Sequence, residues 1–126
     1  MDMQTAKPIL IIAKPGLMRN SLVSYLRAFI PHQSILVTGD LTKTLQMIKA
    51  TNPQLVLVDS DLTEHEMVSI IQHLRAEQPT ARTIALVESL EQQELCLAIG
   101  ATHALLKGFL DEQLQAAVLQ SIGQTV

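Results

Sequence analysis

The sequence predicts an α/β fold in which a five-stranded parallel sheet is covered by helices on both faces. Two observations predict it. Short, continuous runs rich in β-branched residues recur along the chain, as expected of strands buried on both faces. Between them lie segments of helical length and period with short connections, and strands joined through single helices run parallel with right-handed crossovers.

Ile9 to Ile12 is the first strand, followed by the turn residues Pro15 and Gly16. Leu17 to Phe29 places Met18, Leu22, Leu26 and Phe29 on one stripe before Pro31, which predicts the first helix. Ser34 to Thr38 is a weaker strand candidate. Asp40 is a suitable N-cap for a helix from Leu41 to Thr51, with Leu41, Leu45 and Ile48 on one face and Asn52-Pro53 as its stop. Leu55 to Val58 is the third strand. Glu64 to Gln78 carries Met67, Ile70, Ile71 and Leu74 at helical spacing and closes at Pro79. Thr83 to Val87 is the fourth strand, and Ser89 can cap a helix from Leu90 to Ile99 that ends at Gly100. That helix carries Leu95, Cys96, Leu97, Ala98 and Ile99 in succession, more apolar surface than one buried face needs. Thr102 to Leu106 is the second weaker strand. The last helix starts at Asp111 as N-cap and runs through Leu114, Ala117, Val118 and Ile122 to Gly123.

At 126 residues, with 48% hydrophobic and 17% charged residues, the chain is expected to form one domain over 1–126 with its core at about 7–122. A net charge of -3 argues against a surface that neutralises many phosphates, so direct nucleic-acid binding is not expected. One Tyr, two Phe and no Trp leave few platforms for stacking bases. The single cysteine, Cys96, has no second thiol for a disulfide or a zinc site and reads as a small buried residue. The apolar run from Ile9 to Ala13 is too short for a signal-peptide core or a membrane span, so no membrane contact and a cytoplasmic location are expected.

Motifs elsewhere carry little chemistry. His65-Glu66 lacks the second histidine of a zinc-protease helix, because Ser69 stands there. His32, His73 and His103 are dispersed. Lys14-Pro15-Gly16 lacks the glycine spacing and the lysine-serine ending of a phosphate loop, and no serine sits in a strand-to-helix elbow.

In parallel α/β sheets, sites form at the carboxyl ends of the strands. Those ends read Ala13-Lys14-Pro15-Gly16, Asp59-Ser60-Asp61, Val87-Glu88-Ser89 and Lys107-Gly108. Leu55-Val56-Leu57-Val58-Asp59 after Pro53, then Gly100-Ala101 and Leu105-Leu106-Lys107-Gly108 followed by Glu112 and Leu114, resembles the receiver domain of two-component response regulators. The tail is most similar to receivers of LuxR/NarL-type regulators. The resemblance implies a flavodoxin-like, CheY-like three-layer αβα sandwich with strand order 2-1-3-4-5.

It also implies that Asp59 stands at the position that accepts a phosphoryl group from a histidine kinase, and Lys107 at the position of the family's lysine. The family's acidic pair, which holds a divalent ion, is replaced by Ala13 and Lys14. Its fourth-strand hydroxyl is replaced by Val87, and its inward-turning aromatic by Ala104, so both moving parts of the activation switch are missing. Phosphoryl transfer is mostly positioning and charge neutralisation, and a hard divalent ion wants several oxygen ligands. Only Asp61 and Glu88 could supply substitute oxygens for magnesium.

The reading is therefore a receiver-like module of a two-component-type system that acts without phosphorylation, in interaction or dimerisation, and is not an enzyme. No cofactor is expected. The alternative is a working receiver phosphorylated on Asp59, with magnesium held by substitute acids. The resemblance implies protein partners: a second copy, a histidine kinase or an output domain. A homodimer would use the fourth helix, fifth strand and fifth helix, or the first and fifth helices. Lys14 and Lys107 together are expected to take over the ion's electrostatic role, holding Asp59 ionised with a lowered pKa.

Overall fold

The four residues of β1 (Ile9–Ile12) and the five of β3 (Leu55–Asp59) are all buried, the signature of central strands sandwiched between two helical layers. The computed structural model describes residues 7–109 and 111–122. Its sheet is entirely parallel, in the order β2-β1-β3-β4-β5, with β2 at Ile35–Thr38, β4 at Arg82–Val87 and β5 at His103–Leu106. The helices are α1 (Leu17–Phe29), α2 (Leu41–Thr51), α3 (Glu64–Glu77), α4 (Leu90–Ala98) and α5 (Asp111–Ser121).

Alternation along each strand divides the core in two. Leu10, Ile12, Val56, Val58, Ala85 and Val87 pack with Ile48 of α2, Met67, Ile70, Ile71 and Leu74 of α3, and Cys96 of α4. Ile9, Ile11, Leu55, Leu57, Ile84 and Leu86 pack with Leu22 and Leu26 of α1 and with Leu114, Ala117 and Val118 of α5. Each fully buried aliphatic side chain contributes about 1.5–3 kcal/mol, and with almost no aromatics the core is built from many such terms.

Caps fix where the helices begin. Asp40 accepts from the Lys43 amide, Ser89 accepts from the Gln92 amide, and Thr63 with Glu66 forms a capping box at the start of α3. Glu66 is thus spent on a helix start, and His65 beside it is exposed. Asn52 ends α2 in the left-handed conformation. Gly100, one residue past the C-cap of α4, has φ of 123°, and a Cβ there would lie 2.7 Å from Cδ of Arg75.

Differences from the expected boundaries are small and fall at element ends. β2 and β5 each start one residue later, at Ile35 and His103, and β4 starts one earlier, at Arg82. β3 takes in Asp59, whose backbone pairs with Leu86. α3 ends at Glu77 and α4 at Ala98. Asp111 is the first residue of α5 and not its N-cap; Gly123 lies outside the described residues. On α2 the fully buried positions are Thr44 and Ile48, while Leu41 and Leu45 are only half covered.

Candidate functional site

Asp59 ends β3 at the centre of the sheet, and its residue is 1% exposed. The turn after it is held by the Leu62 amide, which donates to the Asp59 carbonyl at 3.2 Å, and by the Ser60 amide, which donates to the Leu86 carbonyl at 3.0 Å. Lys107 follows β5, its amide donating to the Val87 carbonyl at 2.8 Å. From there its flexible stem crosses the end of β4, and Nζ reaches Oδ1 of Asp59 at 2.9 Å and Oδ1 of Asp61 at 3.4 Å. The Lys107 side chain is 20% exposed, so the cluster opens to solvent on the ammonium side.

The structure brings together Asp59, Asp61 and Lys107 and leaves Lys14 out. Lys14 and its neighbours Pro15 and Gly16 are exposed, and among the described residues the Lys14 side chain makes no ion pair or hydrogen bond. The expectation of two cations on Asp59 is corrected to one. The reason is local: β1 ends at Ile12, and after the buried Ala13 the chain leaves the sheet through an exposed turn at Lys14, Pro15 and Gly16.

The expected lowering of the Asp59 pKa is corrected as well. Burial pushes the carboxyl above its ordinary value; the contact with the Lys107 ammonium opposes this without cancelling it, and Asp61 adds to the rise. Neither Asp59 oxygen has a hydrogen-bond donor of good geometry among the described residues, so the lysine meets it as an ion pair and no backbone amide stabilises the anion. Burial lowers the Lys107 pKa, but the contacts with Asp59 and Asp61 outweigh it and leave the ammonium above its ordinary value.

The positions where an acidic pair was sought are closed by backbone. The Ala13 amide donates to the Thr38 carbonyl at 2.9 Å, and Nη1 of Arg19 donates to the Ala13 carbonyl at 3.1 Å. Gly39 lies so close that a Cβ on it would sit 2.8 Å from the same carbonyl oxygen. Glu88 is exposed; its amide donates to Oε1 of Gln92, and its carboxylate meets neither Asp59 nor Asp61. A magnesium ion asks for a near-octahedral oxygen shell. Here one buried carboxylate and one exposed carboxylate both face an ammonium, and among the described residues no three His, Cys, Asp or Glu side chains gather as a metal site. These residues do not fit a magnesium centre.

Val87 and Ala104 are both buried, on adjacent strands, and neither side chain can donate a hydrogen bond. Nε2 of Gln93 donates to the Ala104 carbonyl at 2.8 Å, tying α4 to β5 beside the pair. Sequence reasoning missed Gln93 and Arg19, because side-chain bonds to backbone carbonyls leave no motif. Cys96 is buried as expected, and burial followed by the nearby Glu64 charge raises its thiol pKa, which makes it a poor nucleophile. His103 is half-buried and its pKa is lowered by that burial. Among the described residues, no helix is long and apolar enough to cross a membrane.

No protein-family model and no curated protein matches the sequence. Solved structures do. The signal receiver domain of a DNA-binding response regulator from Colwellia psychrerythraea 34H superposes with a TM-score of 0.82 at 20% identity, covering 93% of this chain and 98% of that one. The receiver domain of a sensor histidine kinase from Pseudomonas aeruginosa PAO1, solved with magnesium coordinated in its active site cleft, gives 0.79 at 20% identity over 95% of this chain and 100% of that one. A LuxR-family DNA-binding response regulator from Staphylococcus aureus gives 0.78 at 15% identity over 92% and 98%. The fold is that of response-regulator receiver domains, as the sequence resemblance implied.

Proposed function

We propose that residues 7–122 form one receiver-like signalling module that works in the cytoplasm as an interaction and dimerisation domain without being phosphorylated. The observation that supports this best is the Asp59–Lys107 ion pair at 2.9 Å, next to a closed first-strand end that offers Ala13 and Lys14 in place of carboxylates. In phosphoryl transfer to a carboxylate, the incoming phosphoryl oxygens need their charge neutralised while the nucleophile stays anionic. Here the one well-placed cation is already shared by two carboxylates, and burial disfavours the anion of Asp59. Val87 and Ala104 provide neither the hydroxyl nor the aromatic that a phosphorylation-driven switch would move. The site is accordingly a fixed ion pair that orders the carboxyl ends of β3 and β5.

Incubation with acetyl phosphate and magnesium, followed by intact-mass measurement, tests the proposal. The expected result is no addition of a phosphoryl group. Stoichiometric phosphorylation that disappears in Asp59→Asn would overturn it in favour of a working receiver.

A further inference from the structure

Going beyond that reading, we infer that the cavity over the carboxyl end of β2 binds a small molecule through a phosphate group. The cavity has a volume of about 360 Å³, within the roughly 300–1,000 Å³ of small-molecule sites, and lies at the strand ends where parallel sheets bind ligands. β1 stands between it and β3, so it is separate from the Asp59–Lys107 pair. Pro15 and Arg19 come from the entry to α1, Lys43 and Met47 from α2, and Val37 and Thr38 end β2 between them. The Lys14-Pro15-Gly16 turn, which lacks the spacing of a phosphate loop, thus supplies part of a cavity wall through Pro15.

Charge and donor geometry decide what fits. Nη1 of the half-buried Arg19 donates to the Ala13 carbonyl at 3.1 Å, which fixes the guanidinium at the end of β1. A guanidinium has five N–H groups, and the edge formed by Nε and Nη2 has no acceptor among the described residues. Such a fork matches two oxygens of a phosphate or a carboxylate. Lys43 and Met47 are four residues apart, so both side chains lie on the face of α2 that lines the cavity. The Lys43 ammonium has no ion-pair partner among the described residues. Asp40, the one acid in the wall, has Oδ1 turned back to the Lys43 amide at 2.9 Å. Arg19, Lys43 and the adjacent Lys14 against Asp40 leave a surplus of two positive charges. A phosphomonoester carries about −1.5 to −2 at neutral pH, so it neutralises this surplus better than a single carboxylate does. The surrounding field has the same sign: residues 7–53 carry six Lys and Arg against Asp40 alone, whereas residues 83–122 carry five Asp and Glu against Lys107 alone. Sheet order sets these two stretches at opposite edges, so an anion is drawn to the β2 edge. Pro15, Val37 and Met47 give the remaining wall an apolar character that suits a compact apolar body beside the charged group.

The test is a chemical-shift titration of the isotope-labelled chain, at constant ionic strength, with inorganic phosphate, phenyl phosphate and phenylacetate. The expected result is saturable shifts at the β1–α1 turn, the end of β2 and the start of α2 with both phosphates, and binding about tenfold weaker or absent with phenylacetate. Tighter binding of phenyl phosphate than of inorganic phosphate assigns the cavity to a phosphomonoester; equal affinity assigns it to the free ion. Arg19→Lys, which keeps the charge and removes the fork, and Lys43→Gln should each weaken binding about tenfold. Circular dichroism should show both folded, and Lys43 is exposed, so its replacement disturbs no packing. Lys49→Gln, exposed on α2 and outside the cavity, should change little. No saturable shifts, shifts spread over every cationic surface, phenylacetate binding as tightly as phenyl phosphate, or affinity indifferent to both Arg19→Lys and Lys43→Gln would overturn the inference. Asp59→Asn should bind phenyl phosphate as the parent does, so a failure here is separate from a failure of the phosphorylation test.

Discussion

The Lys107 ammonium lies 2.9 Å from Oδ1 of Asp59, while the other oxygen of that carboxylate has no donor among the described residues. A buried charge held by one partner is sensitive to the loss of that partner and much less so to the loss of both.

Lys107→Met should therefore cost about 3 kcal/mol of unfolding free energy at neutral pH, and adding Asp59→Asn to it should recover most of the loss. Lys14→Met should be additive with Asp59→Asn, since Lys14 has no contact with the carboxylate. Denaturant unfolding of the two cycles checks both. Coupling between Lys14 and Asp59 would mean that the first strand's lysine reaches the site in solution.

The raised pKa of Asp59 has a defined consequence for pH dependence. Between the ordinary carboxyl value and the raised one, the native state binds a proton that the unfolded chain has released. Stability linked to this group thus falls as pH rises through that window and is recovered on acidification. Asp59→Asn should flatten this component of the stability profile and leave the variant at least as stable as the parent at neutral pH. A parent whose Asp59-dependent stability falls as pH is lowered through the same window would reverse the assignment.

Magnesium should not raise the melting temperature of the natural sequence. A ligand at about a hundred times its dissociation constant adds about 2.7 kcal/mol to the folded state, so a bound ion would be visible in thermal melts. A magnesium-dependent shift that Asp59→Asn removes would show that Asp61 and Glu88 do supply the oxygens.

Gly39→Ala should destabilise the chain by about 1–3 kcal/mol, because the new methyl would lie 2.8 Å from the Ala13 carbonyl oxygen, a backbone atom that cannot swing aside. Thermal unfolding reads this directly. An unchanged melting temperature would indicate that β1 and β2 separate easily at their carboxyl ends.

Most of the architecture was legible in the sequence because burial on both faces writes an unbroken aliphatic run, as in Ile9 to Ile12 and Leu55 to Val58. The edge strands were legible with less contrast, since Ile35, Leu36 and Val37 are only half covered. At the site, spacing placed Asp59 and Lys107 at strand ends that the fold brings into contact. It could not show that Lys14 stays exposed and clear of Asp59, which depends on where the chain leaves the sheet, nor that burial outweighs the lysine in setting the Asp59 pKa. Gln93 was invisible because its partner is a backbone carbonyl, which every residue possesses.

The sheet order converts the early and late parts of the chain into opposite edges of one slab, the β2 edge positive and the β5 edge negative. Such a separation gives the molecule a permanent electric dipole lying roughly in the sheet plane, across the strands. A net charge of -3 understates what an approaching protein meets, because the sign depends on the side of arrival. Within a Debye length, about 10 Å at 0.1 M salt, the torque on that dipole turns the acidic edge toward any cationic collider before contact. Encounter rates should then rise as salt is diluted for basic partners and for acidic ones alike, each meeting its own edge.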